Sequence, residues 1–432
     1  MIVTQKLQSL IFPPFDSLKY SAIISIASIA GLYLCLDSHS NNLITYFLAI
    51  ICLFPRTLNL IISNYRSSEL LKLSALLILY LFISTMFISP AGIRKVFSAG
   101  ANSLLLLIFL GAIISSDHNY PQFRKWLIIS LIISASIAAL YGIFEYIKGR
   151  QAGLFPSTAG SFNFLNKCLG TPDELKEWGQ ANCDLAQWRV HLFGRLKNPV
   201  IGGVSLGFAA ALAFSHMIYE LRWRHFILWL AGLTCILLGV YFTTSRGAAA
   251  GLISAGTMAI ICRLNAPPFL IYLLFTGLFG AFGWLVIGPS WIEYIPRGIG
   301  DRNAIWDSYL HAIFQRPFFG AGITDSTILQ NQTGTIAQHA HNIYLSTTYY
   351  GGLVALALLS YLQIRAIKIA TKLSSSTFGA CALSAMMYSC TVLLVDGGLF
   401  ITKITWLWLV FWLPILFCGF IENKLSREQT VI

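Results

Sequence analysis

Long apolar runs, each close to the length of a membrane crossing, recur along this chain and restrict what it can fold into. A helix needs roughly 20 apolar residues to cross the hydrocarbon layer. Backbone groups cannot go unpaired in lipid, so such runs cross as helices and not as isolated strands. Barrel strands would read as alternating segments of roughly 10 residues, and these runs do not. The pattern predicts an all-α polytopic membrane protein with about twelve transmembrane helices. The expected runs are Tyr20–Cys35, Leu43–Ile62, Leu73–Ser89, Val96–Ile114, Trp126–Ile147, Pro199–Ile218, Phe226–Thr243, Ala248–Cys262, Pro268–Ile287, Asn342–Ile364, Thr377–Val395 and Leu399–Ile421. Of the 432 residues, 56% are hydrophobic and 11% charged, too little charge to cover a soluble surface of that size. The formal charge of +12 belongs largely to loop anchors beside the membrane, so membrane lipids are expected partners and nucleic acid is not. The first run lacks a small-residue cleavage site and reads as the first span, not a signal peptide.

The runs divide the chain into five parts: N-terminal spans at 1–147, a long loop at 148–198, further spans at 199–287, a second long loop at 288–341, and C-terminal spans with a short tail at 342–432. Lysine and arginine in short loops mark the cytoplasmic side. With a cytoplasmic N-terminus, that side carries Lys6, Lys19, Arg66, Lys72, Arg124, Lys125, Arg222, Arg224, Arg263, Arg365, Lys368, Lys372, Lys424 and Arg427. The short outer loops carry mainly Arg94, Lys95 and Arg246. Both termini are therefore expected in the cytoplasm and both long loops outside. Most cysteines lie in or next to apolar runs and read as small buried hydrophobes. Cys168 and Cys183 share the first outer loop, where an oxidising compartment would permit a disulfide; the sequence leaves their separation in space open. It holds no Cys-x-x-Cys and no clustered metal-ligand pattern, so neither metal nor cofactor is expected.

The polar stretch from Gly300 to Tyr344 stands apart between two apolar regions. Ile305, Trp306, Tyr309, Leu310, Ile313 and Phe314 recur at helical spacing. Arg302, four residues before Trp306, shares that face, and Pro317 with Gly320-Ala321-Gly322 ends the helix. The plainer reading is a helix lying on the membrane with Arg302 against lipid phosphate. Asn342 suits the N-cap of the next span. His341 then sits at a helix N-terminus, where the dipole disfavours imidazolium and a neutral ring can act as a general base. A single such histidine is more often structural, but His339 and two arginines share the same face. Arg246, in Thr243-Thr244-Ser245-Arg246-Gly247, stands at the outer end of two spans, where a snorkelling arginine is the alternative. Arg189, Arg195 and Lys197 precede Asn198-Pro199 at the mouth of another span. Arginine forks suit phosphate, although anchoring to anionic headgroups accounts for some of these cations. Asp301 and Asp307 are isolated candidates for orienting neighbours.

Together these segments resemble the O-antigen ligase and polymerase superfamily. The resemblance rests on Asp301-Arg302-x-x-Ile305-Trp306, Pro317-x-x-Gly320-Ala321-Gly322-Ile323, His341-Asn342-x-Tyr344-Leu345 and Gly351-Gly352-Leu353. Ser245-Arg246-Gly247 and the Gly194 to Asn198-Pro199 segment match further motifs. It covers about Arg189 to Leu353; the first spans carry no motif.

The resemblance implies a membrane glycosyltransferase of GT-C-like architecture, working at the periplasmic face of the bacterial cytoplasmic membrane. It would move a glycan from an undecaprenyl-diphosphate carrier to a hydroxyl of lipid A–core without a metal ion. Arg246, Arg302 and His341 match the family's diphosphate-binding arginines and its base. His339 is a weaker candidate, and Arg189 and Arg195 compete for one further role. The nearest alternative is an O-antigen or exopolysaccharide polymerase using the same donor. The alternative of another class is a polysaccharide or lipid-linked glycan transporter or flippase, which would more often place ionisable or broken-helix sites at mid-membrane.

Overall fold

The computed structural model describes residues 17–34, 38–88, 93–120, 122–151, 198–287, 302–323, 329–330, 336–337, 339–401 and 404–430. The first helices are α1 (Ser17–Leu34), α2 (Ser38–Cys52), α3 (Pro55–Ser67), α4 (Glu69–Ile88), α5 (Ile93–Asn119) and α6 (Phe123–Gln151). Then come α7 (Pro199–Met217), α8 (Trp223–Thr243), α9 (Arg246–Arg263), α10 (Pro268–Ile287) and α11 (Arg302–Gln315). The last are α12 (Ile343–Thr371), α13 (Thr377–Val395), a π-helical turn at Trp408–Trp412 and α14 (Leu413–Thr430). Among the described residues nine helices are long and apolar enough to cross a membrane, or ten if one bent pair counts as a single span. That is fewer than the twelve expected. α9 falls short because it is rich in glycine and alanine and carries an arginine at each end.

Three expected spans are broken. The second run bends by 89° between α2 and α3, and Pro55 opens α3 in its first turn, where its missing N–H is no loss. Arg56 accordingly marks a helix start. The run expected from Leu399 is non-helical over its first residues, 399–401, and is helical from Trp406 onward; Gly397, just before it, has φ of 112°. The run from Asn342 breaks at Gly352. A short antiparallel pair, Leu329 with Ala337 and Gln330 with Ile336, is a β element that the all-helical expectation lacked.

Small residues let the central helices approach closely, which is how helices associate where no hydrophobic effect separates them from lipid. α9 packs most extensively on α13, and α7 on α8 and α9. A Cβ at Gly251 of α9 would come within 2.8 Å of the Tyr388 ring. Tyr388 donates its hydroxyl to the Val204 carbonyl of α7 at 2.7 Å. The described cysteines are unpaired, and all but Cys235 are buried.

The two ends of the bundle differ. One carries the Arg124–Asp117 and Arg365–Glu69 ion pairs. There Arg427 donates to the His118 carbonyl at 2.8 Å. Glu422 accepts from the Glu69 backbone N–H at 2.8 Å, placing a carboxylate at the N-terminus of α4, where the dipole favours it. The opposite end gathers the starts of α7, α9 and α12 with the end of α13.

Candidate active site

Asn342 fixes the start of α12 against the end of α13. Its side-chain oxygen accepts from the Tyr344 and Leu345 N–H groups at 2.8 and 3.0 Å, the N-cap role expected of it. Its amide donates to the Leu394 carbonyl at 2.8 Å. The next turn of chain brings Asp396 beside His341, whose Nδ1 lies 3.3 Å from the Asp396 carboxylate. The Gly397 N–H donates to the same carboxylate oxygen at 2.9 Å, which steadies it. His341 itself has φ of 48°, a region uncommon for a residue with a Cβ, and such strain persists where the surroundings impose it. The His339 ring lies 4.0 Å from that of His341, centroid to centroid. Between them the Ala340 carbonyl accepts from the Trp306 indole N–H at 2.9 Å.

That indole contact explains α11. Ile305, Trp306, Tyr309 and Ile313 are buried against Ala321, Ala340 and Tyr349. The apolar stripe thus packs on protein, not on lipid as the plainer reading had it; Phe314, at the margin of that stripe, is 77% exposed. Arg302 opens this helix. Burial pushes its guanidinium below the usual arginine value, with Asp396 opposing and Arg246 adding to the shift. Both charges are thus close enough to act on it.

Arg246 reaches the same place from another direction. Thr244, at φ 52°, makes a left-handed turn after α8, and the Ser245 hydroxyl caps α9 by accepting from the Ala248 N–H at 3.4 Å. A Cβ at Gly247 would stand 3.5 Å from Val395, so α9 starts beside the end of α13, next to Asp396. Burial also lowers the pKa of His339 from its ordinary value; His341 adds to this and Asp396 opposes it. His339 as a residue is nevertheless exposed, so its burial is partial.

The two glycine motifs prove to be one structure. Gly352 has φ of 67° and breaks α12. The break folds the halves toward each other, since Tyr344 donates to Gln363 at 3.2 Å across 19 residues, which an unbroken helix would hold about 28 Å apart. The segment 317–322 docks into the break. The Ala321 and Gly322 N–H groups donate to the Tyr349 and Tyr350 carbonyls at 2.8 and 2.9 Å, and the Leu353 N–H donates to the Pro317 carbonyl at 2.7 Å. Backbone groups that a broken span would leave unpaired are thereby satisfied. α4 completes the joint: the Tyr80 hydroxyl donates to the Gly351 carbonyl at 2.9 Å, and the Ile323 N–H to the Thr85 hydroxyl at 2.8 Å.

Of the residues singled out in the sequence, Arg246, Arg302, His339 and His341 come together. Arg189, Arg195, Cys168 and Cys183 lie outside the described residues, as does Asp301. Asp307 does not orient the site; it is exposed and pairs with His311 at 3.4 Å. Sequence reasoning missed Asp396, although a carboxylate between two apolar runs on the arginine-bearing face was a usable signal. It also missed Tyr80 and Thr85, which no pattern marked. Among the described residues, no group of three His, Cys, Asp or Glu side chains is placed to hold a metal ion.

The bundle and this end cluster define a polytopic membrane protein with a histidine–carboxylate pair and two guanidinium groups at one end. Residues 203–360 match a family model described as O-Antigen ligase. The chain is 25% identical over 241 residues to an O-antigen ligase of Pseudomonas aeruginosa, a match taking in 55% of this chain and 58% of the relative. Over its central part the chain is thus similar to O-antigen ligases, and it spans 58% of the length of the curated relative it matches. The family match includes Arg246, Arg302, His339, His341 and Gly352 but stops short of Asp396.

Proposed function

We propose that this protein is an O-antigen ligase, transferring a glycan from an undecaprenyl-diphosphate carrier to a sugar hydroxyl of lipid A–core. The observation that carries the reading is the His341–Asp396 contact at 3.3 Å, with Arg302 in electrostatic reach of both Asp396 and Arg246. With the His341 Nδ1–H donated to Asp396, Nε2 is the nitrogen left to accept a proton. It takes that proton from the acceptor hydroxyl as the oxygen attacks the anomeric carbon of the donor. The bond from that carbon to the diphosphate breaks, and negative charge builds on the departing phosphate. Arg302 and Arg246 are fixed cations for that charge in a partly desolvated place, so the reading assigns no step to a metal. His339 packs against the base and is assigned a supporting place. Arg189 and Arg195 are further candidates for the diphosphate, since both precede the start of α7 at this end.

The same reading puts the site at the periplasmic face of the bacterial inner membrane. Arg66, Lys72, Arg124, Arg263, Arg365, Lys372 and Arg427 belong to the other end of the bundle, and basic residues favour the cytoplasm. Both termini would then be cytoplasmic. Broken helices also occur in transporters, but the break at Gly352 has its backbone groups taken by the 317–322 segment, which speaks against an ion or substrate seat there.

The test is reconstitution of purified protein with lipid-linked glycan and lipid A–core. New glycan bands on the acceptor are expected. Longer carrier-linked chains would instead mean a polymerase, and movement of the donor across the bilayer without a new bond would mean a transporter.

A further inference from the structure

His341 sits in the left-handed region, with φ of 48°. A residue with a Cβ leaves that region when it is free to, because the Cβ crowds the following carbonyl. Leaving it turns both φ and ψ and so redirects the imidazole. For the ring to stay against Asp396, the peptides on both sides of His341 must be held.

Asn342 holds the C-terminal side. Its side chain caps α12 and donates to the Leu394 carbonyl at 2.8 Å, just before Asp396 in the chain. His341 and its carboxylate partner thus share one anchor. The N-terminal side is held from α11. Peptide planarity fixes the Ala340 carbonyl in the plane that carries the His341 N–H, so a group that grips this carbonyl grips one half of the φ torsion at His341. The Trp306 indole N–H grips it at 2.9 Å. Trp306 is 3% exposed and Ala340 is fully buried, which strengthens the bond by lowering the local dielectric. Arg302 stands one turn earlier on α11, about 6 Å along its axis. The 317–322 segment fixes the other end of that helix on α12. Trp306 is therefore a point where the helix bearing the cation is tied to the segment bearing the histidine.

We propose that Trp306 is a positioning residue, which acts through the Ala340 carbonyl to hold His341 in the backbone conformation that sets its ring against Asp396. The proposal rests on His341 as the base and adds what keeps that base in place. It also makes the placement of Arg302 and of His341 interdependent, since one indole fixes both.

The test uses the full chain, labelled with isotopic histidine, in phosphatidylglycerol nanodiscs at about pH 8. Solid-state NMR reads which ring nitrogen of His341 carries the proton, with His341→Gln assigning the signals. Trp306→Phe keeps an aromatic ring in the stripe and removes the donor. The benzothienyl isostere of tryptophan, introduced at the same position, keeps the shape and has sulfur in place of the N–H. Ile313→Val, in the same buried stripe, is the packing control. Wild type and Ile313→Val are expected to show the proton on Nδ1, and both Trp306 replacements a mixture of tautomers. Turnover from lipid-linked glycan to lipid A–core is expected to fall about 10- to 100-fold in both, with KM for the donor within about twofold of wild type. In an Asp396→Asn background the same replacements should cost less than about twofold, because the contact they serve is already lost. A wild-type tautomer in both Trp306 replacements, an equal change in Ile313→Val, or an undiminished loss in the Asp396→Asn background overturns the proposal. Unfolding of both replacements while Ile313→Val stays folded would make Trp306 structural and overturn it as well. Absence of any transfer product from wild type would count against the ligase reading alone, since the tautomer is read without turnover.

Discussion

The Nδ1 of His341 lies 3.3 Å from the carboxylate of Asp396, a residue 55 positions further along the chain. The pair joins a residue just before α12 to the first residue after α13, and in the proposed reaction it leaves Nε2 as the nitrogen for the acceptor hydroxyl. Asp396→Asn keeps the shape and an acceptor for the Gly397 N–H but can present an amide to the ring, favouring the wrong tautomer. Transfer should fall about 100- to 10,000-fold, with protein level and extraction from the membrane unchanged. His341→Ala should abolish transfer. Near-wild-type product from either variant, measured on purified protein, would remove the base from the mechanism.

Arg302 is desolvated beside a second arginine, so what it offers beyond charge is its planar fork. Arg302→Lys preserves the charge and loses the two-oxygen geometry. The expected loss in turnover is about 10- to 100-fold. Equal rates would show that a diffuse positive field is enough.

His339 gives a pH signature. Burial holds its pKa below the ordinary 6.5, so the folded protein resists charging this ring. As pH falls below about 6.5 the unfolded chain binds the proton first, and the folded state loses stability. His339→Gln removes that penalty. Thermal unfolding of the variant should be less sensitive than wild type to acidification from about pH 6.5 to 5.5, while transfer at neutral pH is largely retained. A loss of transfer as deep as that of His341→Ala would make His339 the base.

Gly352 is held at φ 67°, and a Cβ there would overlap the Phe318 carbonyl. Gly352→Ala should cost about 2 kcal/mol or more, through backbone strain and through displacement of the docked 317–322 segment. The expected result is a lower unfolding temperature and reduced transfer together. An alanine variant with unchanged Tm would mean that the joint has room not seen at Phe318.

Part of the candidate site is legible in the sequence. Asn342 announces a cap by its residue type, and the Asn342 side chain does cap α12. Arg246 and Arg302 stand out because charge is rare here. The helical stripe of α11 is also readable, but not its partner: a stripe records that a face is covered, and lipid and protein are alike as apolar cover. Hence Trp306 could be placed on a face but not on the Ala340 carbonyl. Gly320 and Gly352 mark breaks without revealing that each break closes the other.

Apolar run length determined by itself that this chain is a helical membrane protein, because lipid forbids unpaired backbone and leaves one local solution per run. Charge distribution separated the basic end from the end that holds the candidate site. Only the tertiary structure decided that Asp396 partners His341 and that α12 folds back at Gly352. Those relations depend on contacts between helices far apart in sequence. No local pattern encodes them, since small residues such as Gly203, Gly207 and Gly251 permit close approach without specifying what approaches.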